Sequence, residues 1–266
     1  MKKERTPVSI IVLMTSLGFA FLIGIWYLAS YFLIRDGNYF LPYPHDTAYR
    51  MGALLFASGA KDTWIAIGWT LLRILIGFSA SFVAGAILGT ISGLFPLGKH
   101  FLNIPVGVLR TAPTAAVVIV VAGVMLAKPQ HIDFLPCILC FLVAFPLIYE
   151  AFISSIVNED DYIKMSLELD GGWRKPRNVL AVLIPDGLPY IKLALAQTIG
   201  LSFKVTIMSE VLTANSVSHP GLGSQIVLAR SFGEVEEIIA YAAISLLLMV
   251  LIDIPFAIMK FKKHRN

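Results

Sequence analysis

The stretch from Asn158 to Tyr190, NEDDYIKMSLELDGGWRKPRNVLAVLIPDGLPY, is a polar island in an otherwise greasy chain. Apolar segments flank it on both sides, Ile132–Ile156 before and Ile191–Leu212 after. A helix needs about 20 apolar residues to cross a bilayer, and both segments satisfy this. The island is therefore a large polar connector between two membrane spans. An insert of this size at a membrane surface points to docking of something in the aqueous phase.

Working outward, the rest of the chain has the same character. Of 266 residues, 57% are hydrophobic and 14% charged, and the mean hydropathy is +0.79. Soluble domains carry about 25% charge. Six apolar stretches qualify as spans: Val8–Leu33, Trp64–Leu94, Phe101–Leu126, Ile132–Ile156, Ile191–Leu212 and Val235–Met259. The expected fold is an all-α membrane protein of six transmembrane helices. The first stretch is too long for the apolar core of a signal peptide, so it reads as an uncleaved span. The second is long enough to tilt or to extend past the bilayer. The third contains Arg110-Thr111-Ala112-Pro113, which predicts a bend or a split. The expected division is 1–63, a span and an external connector, followed by a five-span core, 64–266, that carries the island.

Lys and Arg concentrate in cytoplasmic connectors. One side of the predicted membrane holds twelve: Lys2, Lys3, Arg5, Lys99, Lys164, Arg174, Lys175, Arg177, Lys260, Lys262, Lys263 and Arg265. The other holds five: Arg35, Arg50, Lys61, Lys128 and Arg230. The island and both termini are thus expected in the cytoplasm. The same bias explains the net charge of +4 without a nucleic-acid partner. Cys137 and Cys140 lie in an apolar run with no further ligand beside them and read as small packing residues. The five histidines are scattered. No catalytic or metal-binding constellation is present, and no GxxxxGK[ST] phosphate loop, so the chain is not expected to hydrolyse ATP.

Within the second stretch, Gly77, Ser81, Gly85, Gly89 and Gly93 recur every four residues. Small residues at this spacing let helices pack closely in lipid. The seam belongs either to the core of the chain or to a subunit contact. Ionisable residues inside spans are costly and invite a functional reading. Arg73, Arg110, Glu150, Lys192, Lys204, Glu210 and Asp253 fall within or near the spans. Lys204 and Glu210 are six residues apart, about 120° on a helix, so each needs its own partner. Either they are buried ionic staples or they line a polar path or gate.

The island has structure of its own. Asp160 or Asp161 caps a short helix to Leu169, with Ile163, Leu167 and Leu169 as its apolar side. Asp170-Gly171-Gly172 breaks it with a turn. Trp173-Arg174-Lys175-Pro176-Arg177 begins a second helix, with Pro176 in the first turn. Val179–Ile184 returns toward the membrane, and Pro185 and Pro189 bracket the entry to the fifth span.

This arrangement resembles the permease subunit of bacterial binding-protein-dependent ABC importers, whose cytoplasmic loop follows E-A-A-x3-G-x9-I-x-L-P. Counting back from Pro185 aligns Gly172 with the motif glycine, Val182 and Ile184 with the apolar positions, and Ser166, Leu167 and Glu168 with E-A-A. The motif glutamate is absent from its position, and Glu168 is only its neighbour. Asp170-Gly171 is similar to the family's frequent D-G turn. Further segments resemble the nitrate, sulfonate and taurine branch: FLPYPHD after the first span, TLLRILIGFSASFVAGAILGTISG in the second, LRTAPTAA with Arg110 and Pro113, and GLSFKVTIMSEVL with Lys204 and Glu210.

The resemblance implies a multi-pass protein of the bacterial cytoplasmic (inner) membrane. It implies two permease subunits, identical or merely similar, with the translocation path between them. A cytosolic ATPase dimer, holding ATP and Mg²⁺, would receive one loop from each, and an extracytoplasmic binding protein would deliver a small polar solute, either nitrate-, sulfonate- or taurine-like or a vitamin precursor. No cofactor is implied in this chain. The alternatives are an ion-coupled secondary transporter or channel, which often shows inverted repeats not seen here, and a membrane-embedded enzyme.

Overall fold

The structure, a computed structural model, describes residues 8–37, 39–57, 60–127, 129–214 and 218–262. Lys2, Lys3, Arg5, Lys128, Lys263 and Arg265 of the charge count lie outside the described residues. Among those described there is no strand. The chain runs through α1 (Val8–Arg35), α2 (Pro44–Phe56), α3 (Ala60–Leu94), α4 (Pro96–Thr111), α5 (Thr114–Leu126) and α6 (Leu135–Val157). It continues with α7 (Asp161–Leu169), α8 (Pro176–Asn178), α9 (Ile184–Asp186), α10 (Leu188–Thr213), α11 (Leu222–Ser231) and α12 (Val235–Lys262). A 3₁₀ turn, Pro129–Phe134, leads into α6, and a π turn, Val179–Leu183, joins α8 to α9.

Five helices are long and apolar enough to cross a membrane, and α4 with α5 supply a sixth span if the bent pair counts as one. The pair bends by 99° at the predicted place. Pro113 lacks an amide hydrogen and pushes Ala112 into extended backbone, at φ −62° and ψ 132°, so α4 stops there. The chain is an all-α, multi-pass membrane protein. At 35 residues α3 is about 52 Å long, well beyond a hydrocarbon core of about 30 Å. The connector expected after the first span is not wholly irregular, because α2 forms within it, started by Pro44.

The chain forms two compact units, residues 1–63 with 226–245, and residues 64–225 with 246–266. In the first, Pro42 stops the connector against α1 by accepting from Trp26 Nε1 and Ser30 Oγ, both at 3.1 Å. Arg50 of α2 pairs with Glu237 at the start of α12. Most of α1 is exposed and apolar all round, as suits lipid.

In the second unit α6 is the central helix. Its buried residues meet α10 through Ala144, Ile148 and Ala151 against Ile191 and Ala194. They meet α5 through Leu135 and Leu139 against Val118 and Ala122. The small-residue seam of α3 also packs on α6. A Cβ on Gly77 would lie 2.6 Å from Cys137 O and Cys140 Cβ, one on Gly85 2.8 Å from Ile148, one on Gly89 2.6 Å from Tyr149 O, and one on Gly93 3.0 Å from Ile156. Ser81 Oγ donates to Gly77 O at 2.8 Å and to Phe141 O at 3.2 Å. The seam is therefore used for packing inside the chain. Cys137 and Cys140 are free thiols buried at that crossing.

Candidate functional site

Three places hold the residues singled out from the sequence. The first is a buried ionic hub on α10. Glu210 is fully buried, and its carboxylate accepts from Arg73 Nη1 of α3 at 2.8 Å, from Thr70 Oγ1 at 2.9 and 3.0 Å, and from Gly223 N at 3.0 Å. Arg73, itself 3% exposed, donates through Nη2 to His219 O at 2.7 Å and lies 3.5 Å from Asp133 Oδ1. Leu222 N donates to Thr70 Oγ1 at 2.9 Å. Two buried charges survive in an apolar interior only when paired and hydrogen-bonded, and every polar edge here has a partner. The segment 218–223 is clamped as a result. Gly221 and Gly223 are required by the close approach, because a Cβ on Gly221 would collide with the Glu210 carboxylate and one on Gly223 would lie 2.5 Å from Ile207 O.

Glu210 thus has the geometry of a staple. Its partner Arg73 had been noted in the sequence without a mate. Thr70, Asp133 and His219 went unnoticed there. The run SHPGLG, a proline and two glycines ahead of a helix, was the available signal of a tight backbone approach.

Lys204 does not join this hub. It lies on a different, exposed face of α10, about 120° round the helix from Glu210, in a stripe with Gln197, Leu201 and Met208. Among the described residues it forms no hydrogen bond or ion pair. Arg110 is likewise exposed, without an ion-pair partner among the described residues, on the last turn of α4 just before the break at Pro113. It lines a cavity of about 290 Å³ together with Thr114, Val117, Pro146 and Leu201. The cavity links the bent span to the exposed face of α10 three residues before Lys204. Lys204 and Glu210, each expected to have its own partner as a buried staple or on a polar path or gate, face different surroundings.

The third place is the island. Asp160 caps α7, its Oδ1 accepting from Tyr162 N at 2.9 Å. The helix ends in a Schellman arrangement: Gly172 N donates to Leu167 O at 3.0 Å and Gly171 N to Glu168 O at 3.2 Å. Gly171 and Gly172 have φ of +89° and +117°, which side-chain-bearing residues rarely adopt. Glu168 Oε2 accepts from Trp173 N at 3.2 Å, and Asn178 Nδ2 donates to Gly172 O at 3.0 Å, so the turn is braced on both sides. Pro176 starts the second helix, as expected. Leu183 and Val179 are buried against Ile156, with Leu94, Leu167 and Trp173 around them.

One assignment changes. Ile163 and Leu167 face inward, but Leu169 does not join them. It is 93% exposed and shares the outer surface of α7 with Tyr162 and Met165, at 82% and 71%. Spacings of three and four residues put these three side chains on one face. Ser166, Glu168 and Asp170 are also exposed, and Pro185 lies in the first turn of the short α9.

Among the described residues no group of His, Cys, Asp or Glu is placed to hold a metal ion. No protein-family model matches the chain. It is 26% identical over 250 residues to the nitrate import permease protein NrtB of Synechocystis sp. (strain ATCC 27184 / PCC 6803 / Kazusa), a match covering 90% of this chain and 86% of the relative. The resemblance to ABC importer permeases of the nitrate-type branch is thereby borne out along nearly the whole chain.

Proposed function

We propose that this chain is the non-catalytic permease subunit of an ATP-driven importer in the cytoplasmic membrane. It pairs with a second permease subunit, identical or similar, to form the translocation path. It takes its solute from an extracytoplasmic binding protein and its energy from a cytosolic ATPase dimer that holds ATP and Mg²⁺. The observation that carries this reading is the full-length similarity to an import permease.

The local geometry supports a division of labour. The outer face of α7 bears Tyr162, Met165 and Leu169, and exposed apolar side chains on a polar, cytoplasm-facing loop suit a protein partner. The Gly171-Gly172 turn sets the angle at which α7 is presented. The inner side of the island packs on Ile156 at the end of α6. A push on α7 is then transmitted to the central span through packed side chains rather than through a loose loop. Arg110, Pro113 and the Lys204 face of α10 line the path, while Glu210 holds α3, α10 and the 218–223 segment together beside it. The relative's name points to nitrate or a similar small oxyanion as the solute.

Affinity purification of the tagged chain from its native membrane tests the assignment. A stoichiometric ATPase should accompany it, and uptake by reconstituted vesicles should require ATP and an added binding protein. A chain that purifies alone and transports on an ion gradient would overturn it.

A further inference from the structure

The segment 218–223 is held from two sides. On its buried side, Leu222 N donates to Thr70 Oγ1 at 2.9 Å and Gly223 N to Glu210 Oε2 at 3.0 Å. On its solvent side the holder is Asp133, in the 3₁₀ turn before α6. Asp133 Oδ1 accepts from Ser218 N at 3.1 Å, and Asp133 Oδ2 lies 3.5 Å from His219 Nδ1. The imidazole also rests against Trp69 of α3, with ring centroids 4.1 Å apart. The His219 side chain is half exposed, so solvent protons reach it.

Charge gives this contact a direction. The charged groups around the ring are Arg73 from α3, Asp133 from the turn and, behind Arg73, Glu210 from α10. Arg73 lies 3.5 Å from Asp133 Oδ1 and 2.8 Å from Glu210 Oε1. Two carboxylates and one guanidinium leave the cluster with one negative charge while His219 is neutral. A proton on His219 cancels it. Arg73 repels that proton, but its own charge is already matched by Glu210, which leaves Asp133 to His219. Protonation turns a neutral contact into an ion pair with Asp133 and sets a cation against the Trp69 ring. Histidine ordinarily exchanges this proton between about pH 5 and pH 8.

We propose that His219 is a pH-sensitive latch on the 218–223 segment. Protonated, it is held by Asp133 and Trp69, and the segment is locked. Neutral, it lets the segment open while Arg73 and Glu210 keep the buried hub intact. The stabilisation is present at the acid end of the histidine range and is lost as pH rises through it. Both connectors are expected on the extracytoplasmic side, so the latch reads the pH outside. The proposal goes beyond the importer reading and does not depend on it.

The test is hydrogen exchange of the full chain in lipid nanodiscs, with any ATPase that co-purifies. Mass spectrometry follows peptides covering 218–223, with rates corrected for the intrinsic pH dependence of exchange. The amides of Ser218, Leu222 and Gly223 report the two sides of the clamp. Wild type should be about threefold or more better protected at about pH 5.5 than at about pH 8, the scale of a partly exposed ion pair with a cation–π contact. His219→Gln should exchange at the faster level at both pH values. His131→Gln, which removes the other histidine of this neighbourhood, should keep the wild-type difference. If His219→Gln does not fold, Asp133→Asn decides, and its protection should also be indifferent to pH. Wild-type protection that does not change with pH, a pH dependence retained in His219→Gln or Asp133→Asn, or one that disappears with His131→Gln would overturn the proposal.

Discussion

Two charged residues six positions apart on one helix carry opposite kinds of work. Glu210 is enclosed by Arg73, Thr70 and the Gly223 amide, whereas Lys204 is exposed and has no ion-pair partner among the described residues. Removing one member of a buried pair strands the other charge, at a cost of about 3–5 kcal/mol. Arg73→Met should therefore lower the melting temperature of the purified chain sharply. The double variant Arg73→Met/Glu210→Gln should recover part of that loss, because no charge is then stranded. Lys204→Ala should leave the melting temperature near wild type while transport falls. Equal melting temperatures for Arg73→Met and Lys204→Ala, followed by size-exclusion after heating, would remove the distinction. The pairing itself was beyond sequence reading. The helical period shows that Lys204 and Glu210 do not face each other, but nothing local connects Glu210 with an arginine 137 residues earlier.

At the scale of elements, α3 and α7 show what periodicity does and does not disclose. The four-residue recurrence from Gly77 to Gly93 predicted close packing, and α6 provides the partner surface. Gly89→Leu should prevent stable insertion, since its Cβ alone would lie 2.6 Å from Tyr149 O, whereas Gly107→Ala, with nothing within 4 Å, should be tolerated. The yield of monodisperse protein separates the two. The end of α7 was legible because only glycine accepts φ of +89° and +117° cheaply. The face of α7 was harder to read. A nine-residue helix makes only two and a half turns, so Leu169 fits either side by pattern, and the Ile156 cluster determines that Leu167 turns inward. Leu169→Asp or Met165→Asp should therefore leave the fold intact and abolish ATPase co-purification. Gly171→Val should weaken coupling by straining the turn. Retained ATPase in Leu169→Asp would mean that this face is not the docking surface.

At the scale of the whole molecule, orientation is expected to follow charge. Twelve Lys and Arg on the side of the island oppose five on the other, an excess that predicts the direction of insertion. The asymmetry was readable in the sequence because insertion responds to connector composition rather than to tertiary contacts. The spans were legible for a similar reason, since every backbone amide in lipid must bond within its own helix. The break between α4 and α5 followed from Pro113, but its 99° angle depends on packing against α6, which composition does not encode. Orientation in turn governs the proposed coupling, because α7 meets a cytosolic ATPase only if the island lies inside. Native Cys137 and Cys140 are buried, so a single introduced cysteine reports its own side of the membrane. With a membrane-impermeant maleimide on intact spheroplasts, Tyr39→Cys should label at once, since Tyr39 is 73% exposed in the connector expected outside. Ser166→Cys, exposed on α7, should label only after permeabilisation. Immediate labelling of Ser166→Cys in sealed cells would place the island outside and remove the ATPase from its reach.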